Sequence, residues 1–322
     1  MLKALNEVSR FSKLRHNGWP LGHVLEIGFD DKYVPKDGPS AAVACALLLE
    51  GSLTGKEWDP SFAVTGDMNS DGSVQPIGGV AAKIRGATKG ACKIVGVPAK
   101  NEKAVADVLV TDGPTPLVAI AVFSLSKFDD ALALANPERP AALQTALANF
   151  DSMRAVMMRN PQQLVPLLRN PHAVQRLQAL YAAAPNCLSA KYLLMYLQGN
   201  TPRSLSIAGS IEAAENSAKF IITAISHDID GNGISRLNGD ELGGSLNKLR
   251  RLRPMLDSRV WPYVDHMINF ADVIRTSMSN PPTRGSARFL DMVSRVRSAA
   301  GGAKAAHEKL MNDPQVREEL GL

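Results

Sequence analysis

The first 136 residues alternate between two hydrophobic periods. "HVLEIGF" (23–29), "SFAVTG" (61–66), "CKIVGVP" (92–98) and "PLVAIAVFS" (116–124) are short, rich in β-branched residues and bounded by Gly, Pro or Asp, which predicts strands. Between them the pattern changes. Ala41–Leu49 is a continuous apolar run, "GGVAAKIRGATKG" (78–90) opens on two glycines, and "KFDDALALA" (127–135) repeats its apolar positions at helical spacing, so each predicts a helix. Two prolines interrupt "NPERP" (136–140), which predicts a linker.

Beyond the linker the strand period is lost. "AALQTALANFDSMRAVMMRN", "PQQLVPLLRN" and "PHAVQRLQALYAAAPNCLSAKYLLMYLQGN" carry apolar residues at helical spacing, broken by Asn-Pro or Ala-Pro-Asn. The same texture runs on through "ARFLDMVSRVRSAAGG" and predicts about eight helices. No internal period is sustained, which argues against a repeat array. The predicted organisation is a compact α+β domain over 1–136 and an all-α domain over 137–322.

Composition refines this picture in three places. The longest apolar run is too short to span a bilayer, and "MLKALNEVSRFSKLRHNGW" has no apolar leader core, so the expected location is cytoplasmic, with no membrane partner. The three cysteines, Cys45, Cys92 and Cys187, have no metal-binding spacing and read as reduced thiols. The net charge of +5 is concentrated after residue 136, notably in "KLRRLRP" (248–254). With no interleaved aromatics this run reads as a solvated helix face, and nucleic acid is not an expected partner.

Candidate chemistry begins at "PKDGPSAA". Pro39 suits the first position of a helix, and Gly38 permits a tight turn before it. That places Ser40 in a first helical turn, where unpaired N–H groups and the helix dipole favour a developing oxyanion. The residues alone leave two readings, a helix cap or a nucleophile. No histidine lies in a motif beside it: His16, His23, His172, His227, His266 and His307 are scattered. A lysine serves as base where its surroundings favour the neutral amine. Lys83, in "PIGGVAAKIRGA", lies near a helix N-terminus among uncharged neighbours, and is open to the same two readings.

The two segments together resemble the proteolytic domain of the Lon protease family. "PKDGPSA", followed by an apolar helix ending in "LTG", is similar to that family's nucleophile segment. "AVTGDMNSDGSVQPIGGVAAK" is similar to its threonine, hairpin and lysine segment, and Ser40 and Lys83 stand 43 positions apart, the spacing of the family's Ser-Lys dyad. "VGVPAKNEKAVADV" and "FDDALALA" extend the likeness over roughly residues 20 to 135. The chain departs from the family in "GPSAA", where glycine usually follows Ser-Ala, and in "AAK", where an acidic "KEK" is usual.

The resemblance implies a Lon-type α+β proteolytic domain, without the family's ATPase module, that hydrolyses peptide bonds through an acyl-enzyme. Ser40 would be the nucleophile and Lys83 the general base. Thr65 would orient the lysine, Asp37 would position the loop or cap the helix, and Gly78 and Gly79 would let the lysine helix approach closely. No metal or other cofactor is implied. Unfolded or peptide substrates and a homo-oligomer are the implied partners. No GxxxxGK[ST] occurs in the sequence, and 39 residues precede Ser40, fewer than the family domain usually has. The resemblance therefore implies ATP-independence within this chain, and a separate ATPase or a further N-terminal segment as partner. The alternative is a Lon-fold module without catalysis, used for binding or assembly with a helical interaction domain. Ser40, Lys83 and Thr65 occurring together favours the peptidase.

A second candidate site is "DIDGNGISRLNGDEL" (228–242). Asp228, Asp230 and Asn232 alternate as in a calcium loop and Gly233 follows, but Gly239 stands where the closing glutamate belongs. A Gly/Asp/Asn-rich helix–helix turn is the stronger reading.

Overall fold

A computed structural model describes residues 1–18, 24, 26–28, 38–226 and 237–320. They form two compact units, Met1–Pro202 and Arg203–Leu322. Asp37 and the candidate calcium positions Asp228, Asp230 and Asn232 lie outside the described residues, as do positions 23, 25 and 29 of the expected strand at 23–29. The described positions of that segment, 24 and 26–28, form no strand.

The first unit is built on a three-stranded parallel sheet of β1 (Phe62–Val64), β4 (Ile94–Pro98) and β5 (Ala121–Leu125), with β4 in the middle. Every residue of β4 is buried, as expected for a central parallel strand with both faces covered. A two-stranded antiparallel hairpin, β2 (Asp67–Met68) with β3 (Val74–Gln75), follows β1. The hairpin is tied to the end of β5, where Val74 N–H donates to the Ser126 carbonyl at 2.9 Å.

Helices α2 (Ala42–Thr54), α3 (Val80–Lys89) and α6 (Phe128–Ala135) form where the apolar period predicts them. Two elements differ from expectation. The run at 116–124 is not one strand: Thr115–Ala119 forms a helical turn, α5, with Pro116 in its first turn, and the strand begins at Ala121. The N-terminal residues form a further helix, α1 (Leu2–Arg15), which buries Ala4 and Val8. Phe11 of α1 meets Phe128 of α6 edge-on, with ring centroids 4.9 Å apart. Arg15 and His16 both bond the buried carboxylate of Glu50 on α2.

The break between compact units falls after Pro202 rather than at the linker expected at 136. Helices α4 (Glu102–Asp112), α7 (Ala141–Arg159), α8 (Leu164–Leu168), α9 (Pro171–Ala183) and α10 (Leu188–Leu197) all belong to the first unit. The reason lies at the outer edge of β5, whose open hydrogen-bonding groups need partners. The segment between α9 and α10 and the first turn of α10 supply them. Phe123 pairs with Cys187, Ser124 N–H donates to the Asn186 carbonyl, and Val122 N–H donates to the buried Ser189 Oγ at 2.9 Å. "NPERP" is itself fastened down, since Arg139 bonds Asp59 and the Leu134 carbonyl.

The second unit is helical: α11 (Ile207–Ser217), α12 (Lys219–Ser226), α13 (Gly239–Leu252), α14 (Trp261–Ser279), α15 (Ala287–Met311) and α16 (Pro314–Leu320). Leu242, Leu246 and Leu249 recur at helical spacing on α13 and are fully buried, as are Val264, Met267, Phe270 and Ile274 on α14. The basic run is partly consumed inside this unit. Arg250 pairs with Asp272, and Arg253 makes a forked pair with Asp265 while its guanidinium stacks 4.6 Å from the Trp261 ring. Among the described residues, no helix is long and apolar enough to cross a membrane.

Candidate active site

Ser40 and Lys83 lie on different elements and meet in space. Lys83 Nζ donates to Ser40 Oγ at 3.4 Å, a long hydrogen bond of the kind often found at unliganded catalytic sites. Both side chains are half-buried. Among the described residues, no carboxylate forms an ion pair with the Lys83 amine.

Ser40 reaches this place through the end of β1. Its carbonyl accepts two bonds, from Gly66 N–H at 2.9 Å and from Thr65 Oγ1 at 3.1 Å. Thr65 is buried, and its own N–H donates to the Gly96 carbonyl of β4 at 3.0 Å. Gly66 has no side chain because there is no room for one: a Cβ there would stand 3.0 Å from Val74 and 3.1 Å from Val43. Thr65 thus touches the backbone of Ser40, whereas the sequence expectation has it orienting Lys83.

Ser40 is not in the first turn of α2. The helix begins at Ala42 with Ala41 at its cap, leaving Ser40 one residue ahead, after Gly38 with its left-handed φ of +83°. Two N–H groups expected to be open to an oxyanion are already paired. Ala42 N–H donates to the Pro39 carbonyl and Val43 N–H to the Gly66 carbonyl. These bonds close the turn and lock α2 onto the end of β1.

Lys83 stands one turn into α3. Gly79 caps that helix in the left-handed conformation, φ +70°, which a glycine adopts without steric cost, and its carbonyl accepts the N–H of Lys83. A Cβ on Gly78 would meet nothing within 4 Å among the described residues, so the close approach expected there is absent. One residue before the glycines, Ile77 is clamped by the Asn101 side chain, a contact the sequence reading did not foresee.

Residues 23–130 match the Lon protease (S16) C-terminal proteolytic domain. The chain is 44% identical to a Lon protease of Mycoplasma pneumoniae over 70 residues, 22% of this chain and 9% of that protein. It is 30% identical to a Lon protease of Koribacter versatilis over 155 residues, 44% of this chain and 19% of that protein. Against the Lon protease of Escherichia coli K12 the figures are 31% over 115 residues, 35% of this chain and 14% of that protein. The chain thus spans less than a fifth of the length of these relatives. Ser40, Thr65, Gly79, Lys83 and Asn101 all fall inside the matched segment, and over that segment the chain is similar to the proteolytic domain of Lon proteases.

Proposed function

We propose that this chain is a serine-type endopeptidase in which Ser40 is the nucleophile and Lys83 the general base. The observation that carries the reading is the 3.4 Å approach of the two side chains, with no acid paired to the amine among the described residues. Lys83, as a free amine, takes the Ser40 proton while the oxygen attacks the substrate carbonyl carbon. The tetrahedral adduct then collapses: the C–N bond breaks, and the lysine ammonium hands its proton to the departing amine. Water enters, gives a proton to Lys83 and attacks the ester carbon; the C–Oγ bond breaks, the acid is released, and the Lys83 ammonium returns that proton to Ser40 Oγ.

Thr65 and Gly66 hold the Ser40 carbonyl through the cycle, so the nucleophile need not be oriented anew at each turnover. An unfolded polypeptide is the substrate class this reading assigns, and a homo-oligomer its working form. The chain contains no P-loop, so threading by ATP hydrolysis belongs to a separate ATPase or a further segment.

The test is incubation with unfolded casein beside the Ser40→Ala and Lys83→Ala variants. Cleavage by the parent and its loss in both variants is the expected result. Persistence of cleavage in both variants overturns the dyad, and no cleavage by the parent favours a binding module.

A further inference from the structure

Asn101 stands just beyond β4 and, among the described residues, makes no hydrogen bond to Ser40 or Lys83, yet both ends of its amide bond the chain that leads to the lysine. Ile77 N–H donates to Asn101 Oδ1 at 2.9 Å, and Asn101 Nδ2 donates to the Ile77 carbonyl at 2.8 Å. One side chain thus holds both polar groups of one peptide unit's residue, as an adjacent strand would. From Ile77 only Gly78 separates this clamp from Gly79, which caps α3 and accepts the N–H of Lys83.

The opposite half of the site hangs on β4 itself. Gly96 of β4 accepts Thr65 N–H, and Thr65 and Gly66 hold Ser40. The nucleophile and the amine are therefore referenced to positions five residues apart in the chain, Gly96 within buried β4 and Asn101 three residues past its end. The residue after the clamp is anchored as well. Glu102 accepts from Lys191 and from the Tyr192 hydroxyl, at 2.5 and 3.2 Å, both on α10. The helices after residue 136 thereby brace the clamp from behind.

Resting on the dyad reading above, we propose that Asn101 is a positioning residue that sets the reach of Lys83 toward Ser40. Without the clamp the Gly78–Gly79 entry to α3 loses its fixed start, and the long 3.4 Å contact leaves little tolerance for drift. Asn101→Asp is the sharpest probe. It keeps the acceptor for Ile77 N–H and turns the Nδ2 donor into an oxygen facing the Ile77 carbonyl.

The experiment is a double-mutant cycle on the full chain, reading the rate at which a fluorophosphonate probe labels Ser40, followed by mass spectrometry of the Ser40 peptide. Asn101→Asp is expected to slow labelling by on the order of tenfold to a hundredfold in the parent and to have no effect in the Lys83→Ala background. A cost of the same size in both backgrounds overturns the proposal, because the residue then acts on the fold and not through Lys83. Labelling as fast in Lys83→Ala as in the parent is a different failure: it removes the dyad reading, and the proposal with it. Thermal melting accompanies each variant. If Asn101→Asp does not fold, Asn101→Ser, which keeps a short donor and acceptor, replaces it in the same cycle with the same criteria.

Discussion

The amine of Lys83 lies 3.4 Å from the hydroxyl of Ser40, on a helix whose start is fixed independently of the turn that carries the serine. This contact makes the identity of the cation decisive. A lysine can give up its proton and act as a base, whereas an arginine remains charged at any pH a protein survives. Lys83→Arg is therefore expected to lose cleavage of unfolded casein by on the order of a hundredfold or more, close to Lys83→Ala, while melting within a few degrees of the parent. Substantial activity in the arginine variant would mean that position 83 supplies charge alone.

Thr65 offers a second, gentler test. Its hydroxyl shares the Ser40 carbonyl with Gly66 N–H, so removing it loosens that carbonyl without freeing it. Thr65→Val, nearly equal in shape, is expected to cost about 1 kcal/mol of stability and on the order of tenfold in turnover. Thr65→Ser keeps the hydroxyl and is expected to recover most of the turnover. Undiminished turnover in Thr65→Val together with a loss in Thr65→Ser would instead assign the role to packing of the threonine methyl group.

Much of this site was legible in the sequence because its parts are local. "DGPSAA" announces a tight turn into an apolar helix, and "GGVAAK" announces a glycine-opened helix with a lysine one turn in. It is the resemblance to the Lon family, which includes the spacing of Ser40 and Lys83, that links the two segments. What the sequence hid is long-range or lacks a period. "PLVAIAVFS" is apolar throughout, so nothing in it marks Ile120, where α5 ends and the strand begins. Two prolines interrupt the chain at 136–140 and point to a domain boundary there, whereas the break between compact units falls after Pro202. Ser189 and Asn186, which bind the helices that follow to β5, find their partners more than 60 residues away. The clamp of Asn101 on Ile77 spans 24 residues and has no motif of its own.

The three thiols separate by burial. Cys45 and Cys187 are buried, and burial pushes the Cys187 thiol up to about 12. Cys92, in the loop ahead of β4, is only half-buried. At pH 8, iodoacetamide is expected to modify Cys92 in the native protein and to reach Cys45 and Cys187 only after denaturation, as peptide mass mapping would show. Native-state modification of Cys187 would mean that the segment covering the edge of β5 opens readily, because Cys187 pairs with Phe123 there.

Acid stability should report the bond that closes the supposed linker. Arg139 donates to the Asp59 carboxylate at 2.7 Å, and Ser61 donates to it through both its N–H and its hydroxyl. Burial by itself would push the Asp59 carboxyl up, but the bonds from Ser61 and Arg139 outweigh it and hold it below the ordinary aspartate range. The unfolded chain therefore binds a proton at Asp59 at a higher pH than the folded one does. The resulting stabilisation is complete above the unfolded value of about 4 and is lost as the pH falls through the lower, folded value. Asp59→Asn cannot titrate and loses the charge-assisted bond to Arg139. Its melting temperature is expected to lie several degrees below the parent's at pH 7, with the gap narrowing as both are acidified below pH 4. A gap that stays constant down to pH 3 would show that Asp59 contributes through shape and neutral hydrogen bonds. In that case Arg139→Ala should cost far less than the about 2 kcal/mol expected for removing a charged hydrogen-bond partner from a half-buried carboxylate.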